Sequence, residues 1–306
     1  MKKKKFSTFD FFNYLFMIFV LIIVVYPLYY TVIASFSEAR SVALGEVKWL
    51  PVGFNTIAYQ HVFANEEIWR GYANTIFYTV MGTLFNIFLT IPTAYVLSKK
   101  QLPGQGIIMT FFLITMYFGG GMVPTYLLIK GLGLINTRLV LIICNGLSVY
   151  NLIVARTFFA TSISESLYEA AEIDGANEFK KMFAIAMPLA KPIIAVMTLY
   201  YSVSHWNNYF SALLYITDKK LEPLQSVLRR ILVLSENALD ETLMILNSSG
   251  LTAETEGMLR DAAARSYLAY TMKFAVVFIA SAPLLMAYPF VQKYFVKGVM
   301  IGAVKE

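Results

Sequence analysis

Residues Glu169–Pro192 read EAAEIDGANEFKKMFAIAMPLAKP. Charge and alanine are dense here, an Asp-Gly pair stands near the middle, and the final proline opens a 26-residue run without Asp, Glu, Lys or Arg. Uncharged, aromatic-rich runs also precede it. A chain that is apolar for most of its length and then turns polar has left one phase for another. The segment is therefore expected at a boundary, where it meets water and other proteins.

The remainder of the chain identifies the first phase. Of 306 residues, 58% are hydrophobic and 14% charged, with a mean hydropathy of +0.61, against about 25% charged in a typical soluble domain. A bilayer core takes roughly 20 apolar residues as helix. Six stretches qualify: Phe11–Ile33, Tyr72–Leu97, Gly104–Ile129, Leu139–Phe159, Pro192–Thr217 and Tyr267–Gln292. Only the fourth and sixth carry a charge, Arg156 near the end of one and Lys273 near the start of the other. The expected fold is all-α: a polytopic membrane protein with six transmembrane helices, one domain over residues 1–306, a polar loop at 160–191, and outer loops at 34–71 and 217–266. MKKKK precedes the first span, but 23 uncharged residues exceed a signal-peptide core and no small-residue cleavage site follows. That span is expected to remain as a helix.

Six spans put both ends on one side. That side holds thirteen Lys and Arg against seven acids, and the other holds eleven against twelve. Basic loops stay in the cytoplasm, so both termini and Glu169–Pro192 are expected there. The net charge of +6 is then an inner-face bias and not a nucleic-acid footprint. Arg229-Arg230 lies in an outer loop. One cysteine, Cys144, and two distant histidines, His61 and His205, exclude a disulfide framework and give no metal spacing. Cys144 and the methionines read as packing, and Lys273 as a side chain that reaches back to the surface.

Within the polar segment, Ser164 can cap a short helix, SESLYEAAEID, with Glu165 well placed in its first turn. Asp174-Gly175 is a turn dipeptide. A second helix near Asn177–Met187 aligns Phe179, Met182, Phe183 and Ala186 on one apolar face, with Glu178, Lys180 and Lys181 on the other. Pro188 and Pro192 then re-aim the chain into the fifth span. The expected shape is a two-helix elbow across the membrane's inner face, with Ala170 and Ala171 allowing another surface to approach closely. Periodicity alone also fits an amphipathic loop that merely joins two spans.

The ordered array Glu169-Ala170-Ala171, Asp174-Gly175-Ala176, Phe179 and Ile185-Ala186-Met187-Pro188 resembles the EAA loop of ABC importer permeases, with Met187 in place of a usual leucine. FGGGMVPTYLLIKGLGLINT (Phe118–Thr137), SVYNLIVARTFF (Ser148–Phe159), HWNNYFSALLYI (His205–Ile216), PLQSVLRRIL (Pro223–Leu232) and YPFVQKYFVKGVMIGAVK (Tyr288–Lys305) are similar to the maltose-type carbohydrate-uptake class, in its complex-oligosaccharide subgroup. The resemblance implies a type I importer permease fold whose elbow is a coupling helix seated in a groove of a cytoplasmic ATPase. It implies as partners a second, different permease subunit, two ATPase subunits that bind ATP and Mg, an extracytoplasmic solute-binding protein and an oligosaccharide substrate. The coupling residues it implies are Glu169, Ala170, Ala171, Asp174, Gly175, Ala176, Phe179, Met182, Phe183 and Pro188. Glu169 would make a polar contact with the ATPase and Gly175 would set the elbow angle.

The pathway itself calls for aromatic rings beside amides and hydroxyls, because sugars present hydroxyls and flat C–H faces. The fifth span carries Tyr201, His205, Trp206, Asn207, Asn208 and Tyr209, together with Tyr200, Ser202 and Ser204. The fourth adds Asn145, Tyr150 and Asn151. Polar groups at this depth face the bundle interior or a water-filled cavity, so two readings stand: interhelical hydrogen bonding, or lining and gating of a passage. Gly119-Gly120-Gly121 with Pro124 interrupts the third span. It marks an unwound or closely packed point near the passage, with Gly120 at its centre, or a kink.

No G-x-x-x-x-G-K-[ST] phosphate loop is present, and the chain shows no catalytic constellation, cofactor site or metal site. The expectation is a transport subunit and not an enzyme. Peptide, polyamine or anion cargo is a near alternative. An ion-driven secondary transporter would call for intramembrane carboxylates, which the spans lack, and a membrane-embedded enzyme would call for an acid, base or metal cluster at the interface.

Overall fold

The computed structural model describes residues 7–233 and 253–303. The terminal lysines Lys2–Lys5 and Lys305, and part of the outer stretch 217–266, lie outside the described residues. Helix α1 runs Thr8–Ser35, α2 Ala39–Ala43, α3 Ile57–Ala64, α4 Glu66–Ser98, α5 Gln105–Tyr117, α6 Met122–Gly131, α7 Arg138–Ile143 and α8 Val149–Ser162. The elbow is α9, Glu165–Ile173, followed by α10, Glu178–Leu189. Then come α11, Lys191–Trp206, α12, Phe210–Tyr215, α13 over 224–233, and α14, Ala253–Ala303. No strand occurs among the described residues.

All six apolar stretches are largely helical, but only three are unbroken helices long and apolar enough to cross a bilayer: α1, α4 and Ala262–Met286 within α14. The third stretch is the pair α5 and α6, bent by 110° at the glycines. The fourth divides into α7 and α8 across Cys144–Ser148, and the fifth into α11 and α12 across Asn207–Tyr209. Helix α1 starts at a reciprocal cap. The Ser7 hydroxyl accepts from the Phe9 amide, and the Ser7 amide donates to Asp10 Oδ2 at 2.9 Å, which satisfies two groups that a helix start leaves bare.

The chain packs as two compact units, residues 1–68 with 227–282 and residues 69–226 with 283–306. In the first, Ile33, Ala34, Val42 and Val47 form a small core against Tyr30, Tyr270 and Phe274. The loop after α2 hangs on α1, since the Tyr26 and Tyr29 hydroxyls donate to the Lys48 and Trp49 carbonyls. Arg230 pairs with Glu67 at 3.1 Å.

In the second unit one continuous core joins α4 (Ile91, Ala94, Tyr95), α8 (Leu152, Ala155, Phe159), α9 (Tyr168), α10 (Met182, Ala186) and α11 (Ile193, Met197, Tyr201). A further cluster gathers Tyr78, Ile129, Val140, Leu141, Ala212 and Tyr215 from α4, α6, α7 and α12. The first of these cores matters most for function, because it reaches from the elbow to the middle of the apolar bundle.

Candidate functional site

The elbow forms much as its sequence predicts. Asp174 ends α9 and Gly175 turns the chain at φ 74°, a backbone angle that a side chain resists. Asn177 then caps α10, its Oδ1 accepting from the Lys180 amide at 2.8 Å. The expected Ser164 cap is not made: Ser164 stands at the N-cap position, but its hydroxyl pairs with that of Ser166 at 2.7 Å. Between α10 and α11 the chain bends by 78° at Ala190. Pro188 lies in the last turn of α10, Pro192 in the first turn of α11.

The predicted apolar face of the second arm is corrected. Lys181–Ala186 winds as a π-helix, closed by the Met187 amide on the Met182 carbonyl. A π-turn carries one extra residue, so the 3.6-residue spacing that put Phe179, Met182, Phe183 and Ala186 together does not hold. Met182 and Ala186 enter the core, whereas Phe179 and Phe183 stand outward at 73% and 58% exposure. Lys181, expected on a solvated face, is turned inward and buried. The alanines also part company: Ala171 packs into the bundle and Ala170 faces out. Glu169, Asp174 and Gly175 are exposed beside Ala170, with Ala176 half-buried. The outward surface of the elbow is thus Glu169, Ala170, Ile173, Phe179 and Phe183.

Behind that surface lies a charged joint. Lys181 Nζ is 2.9 Å from Glu178 Oε1 and 3.2 Å from Glu172 Oε2, and the Tyr95 hydroxyl donates to Glu178 Oε2 at 3.3 Å. The hydrogen bond from Lys181, above all, holds Glu178 below the ordinary carboxylate value, and its counterpart to Glu178 raises Lys181. Lys99 Nζ sits over the Tyr168 ring and 4.8 Å from the Tyr95 ring centre. Burial lowers its pKa and pushes the Tyr168 phenol up to about 12. Cations over aromatic faces are favourable where water is scarce.

Deeper in the same unit, a cavity of about 360 Å³ is lined by Cys144, Asn145, Leu147, Ser148, Asn151, Tyr200, Tyr201, Ser204 and His205. Its shape follows from the break between α7 and α8. Opening a helix in an apolar phase frees carbonyls that nothing outside can satisfy. Asn86 of α4, fully buried, supplies the partner: its Nδ2 donates to the carbonyls of Asn145 at 2.6 Å and Gly146 at 2.8 Å. With that amide nitrogen committed, Asn86 Oδ1 is the acceptor for His205 Nε2 at 2.7 Å. The imidazole therefore carries its proton on Nε2 when neutral. Gly82 leaves room for the ring, since a β-carbon there would overlap it. The Tyr201 hydroxyl bridges Thr90 at 2.7 Å and the Ser148 amide at 3.2 Å.

Of the thirteen residues predicted for the passage, the cavity gathers Tyr200, Tyr201, Ser204, His205, Asn145 and Asn151. The others lie elsewhere. Trp206 is buried against Tyr72, ring centres 6.0 Å apart. Asn207 donates back to the Val203 carbonyl, and Asn208 accepts from the Ser211 amide. Tyr209 packs edge-on with Phe210, and Tyr150 points outward at 61% exposure. Gly120 sits in the α5–α6 break with no atom within 4 Å of where its β-carbon would be, so it is not a close-packed point. Asn86, Thr90, Ser148 and the lining role of Cys144 escaped sequence reasoning. The signal for Asn86 was an amide near the centre of the uncharged stretch Tyr72–Leu97.

Comparison with known proteins places these features in a family. The model for the "binding-protein-dependent transport system inner membrane component" matches residues 68–301. Protein LplC of Bacillus subtilis is 37% identical over 97% of this chain and 95% of its own length. The polygalacturonan/rhamnogalacturonan transport system permease protein YtcP, from the same organism, is 35% identical over 97% and 98%. A solved bacterial ABC transporter chain involved in import of the acidic polysaccharide alginate superposes with a TM-score of 0.81 at 32% identity, covering 96% of this chain and 100% of that one. With an all-helical bundle, an elbow of this motif and full-length relatives, the chain belongs to the inner membrane components of binding-protein-dependent transport systems, as a multi-pass transport subunit and not an enzyme.

Proposed function

We propose that this chain forms half of the translocation pathway of an ATP-driven importer of oligosaccharides, with a second, different permease subunit supplying the other half. Its elbow and both termini face the cytoplasm. Two ATPase subunits bind ATP and Mg, and the outward surface of Glu169, Ala170, Ile173, Phe179 and Phe183 seats in one of them. A solute-binding protein delivers cargo from the other side. The observation that carries this reading is the single core joining the elbow to the polar cavity. A force on α10 reaches Tyr201 through packed side chains, and close-packed interiors shift between discrete arrangements and do not yield gradually.

Cargo follows from the lining. Tyr200 and Tyr201 offer rings, and Asn145, Ser148, Asn151, Ser204 and His205 offer hydrogen bonds, the mixture that sugar hydroxyls and C–H faces require. The relatives named for polygalacturonan, rhamnogalacturonan and alginate support a saccharide. The test is ATP hydrolysis by the reconstituted complex, with its binding protein, across a panel of oligosaccharides, peptides, polyamines and oxyanions. Stimulation by one saccharide class is expected, and stimulation by a non-sugar alone would overturn the cargo. Gly175→Asp and Glu169→Lys should abolish retention of the ATPase on the purified permease while membrane insertion is unchanged. Retention at the wild-type yield in both variants would refute the docking surface.

A further inference from the structure

The coupling reading explains the outward face of the elbow but not the buried lysine behind it. Lys181 is 5% exposed. Its ammonium joins three elements: Glu172 belongs to α9, Glu178 begins α10, and the second oxygen of Glu178 takes the hydroxyl of Tyr95 from α4. Asp174–Asn177 is the hinge between the two arms; Gly175 turns it at φ 74°, and the Gly175 and Ala176 amides close it on the Glu172 and Ala171 carbonyls of α9, so the backbone bonds of the turn leave α10 to be held by its side chains. Bending there would absorb a push from outside locally and leave the bundle still.

We propose that Lys181 is a positioning residue: its ion pair with Glu172 braces the two arms of the elbow across the Gly175 hinge, and its pair with Glu178, which also takes the Tyr95 hydroxyl, fastens them to α4, so that the elbow moves as one piece with the bundle. The proposal rests on the coupling reading for its purpose but not for its geometry. The π-turn gives the local cause, because it brings Lys181 inward together with Met182 and Ala186 where a regular helix would leave it on the opposite face. The asymmetry of exposure makes the brace removable. Glu172 and Glu178 are 71% and 66% exposed along their side chains against 6% for Lys181, so loss of the ammonium strands no carboxylate away from water. Burial of one partner alone lessens the desolvation cost that makes fully buried pairs poor fasteners.

The experiment uses the full chain in the assembled complex. Spin labels go on Leu167→Cys in α9 and Ala184→Cys in α10, both exposed positions, with Cys144→Ser in the labelled chains only, and cargo moved per ATP is measured in unlabelled chains that keep Cys144. The unaltered joint should give one narrow inter-arm distance distribution. Lys181→Met, which keeps the apolar stem, should broaden it at least twofold and lower cargo moved per ATP hydrolysed about fivefold. Lys181→Arg should restore both, and Glu172→Gln with Glu178→Gln should reproduce the loss. An unchanged distribution in Lys181→Met overturns the proposal. So does failure of Lys181→Arg to restore what Lys181→Met loses, because packing of the stem would then be the whole role. If the unaltered permease retained no ATPase, the coupling reading would fall, and the distance measurement would still decide the brace.

Discussion

Asn86 shows what one amide accomplishes inside an apolar bundle. Its two donated bonds close the open ends of the α7–α8 break, and its oxygen orients His205 at the edge of the cavity. Single interhelical hydrogen bonds in membranes average well under 1 kcal/mol because the separated helices find other partners. The carbonyls at a fixed break have none, so the penalty for an unsatisfied buried group governs instead. Asn86→Leu should lower stability by about 2 kcal/mol, read as the unfolding midpoint in detergent. A second change, His205→Ala, should then add little, since the two groups act as a unit. A full additive loss would contradict that coupling. The Lys181 joint carries a sign that can be checked against acidity. Glu178 lies below its ordinary 4.5, so its contribution is complete above 4.5 and disappears as pH falls through the lowered value. Lys181 lies above its ordinary 10.5, so its contribution is complete below 10.5 and disappears as pH rises through the raised value. The inter-arm distance should therefore be flat across the neutral range and widen in acid. Widening near neutrality would point to a different titrating group.

At the scale of elements, the broken helices divide what could be read in sequence from what could not. The elbow was legible because its charges and its Asp-Gly are local signals that need no partner, whereas the cap at Asn177 was seen only in the structure. The spans were legible as lengths of uncharged residues. The break in the third span was legible from its three glycines and Pro124, but those in the fourth and fifth were not, because hydropathy is the same whether a stretch is one rod or two, and the 144–148 opening depends on Asn86 far away in sequence. Lys181 was misplaced for a related reason: one added residue in the π-turn changes which side chains share a face. The 110° bend between α5 and α6 offers a direct test. Gly121 sits at φ 88° and ψ 168°, a region that only glycine enters readily, whereas Gly119 and Gly120 have open space and no such angle. Gly121→Ala should cost about 1–3 kcal/mol, measured by thermal unfolding. Gly120→Ala should change stability by well under 1 kcal/mol. Equal sensitivity of the two glycines would show that the bend is made in some other way.

Across the whole molecule, the proposed orientation rests on the side on which lysine and arginine accumulate, a signal that needs no knowledge of the helix breaks. Single cysteines in a Cys144→Ala background at Ile173 and Leu50, 88% and 73% exposed, should report it. A membrane-impermeant maleimide added to intact cells should modify Leu50→Cys at once and Ile173→Cys only after permeabilisation. The reverse pattern would place the elbow outside and remove it from any ATPase. The family was legible only from the ordered EAA array and the stretches that resemble its carbohydrate class, since composition and span count are shared by many transporters.

The lining of the cavity has an electrical consequence. None of its nine side chains is Asp, Glu, Lys or Arg. Carrying one elementary charge through a potential of 100 mV involves about 2.3 kcal/mol, a term that membrane voltage imposes on any carrier whose site travels with an ion in it. Under the proposed function, an uncharged saccharide would bring no such term, and the work of accumulation would be independent of the cell's voltage, whereas an acidic one of the kind named for the alginate importer would bring a term for each carboxylate it carries.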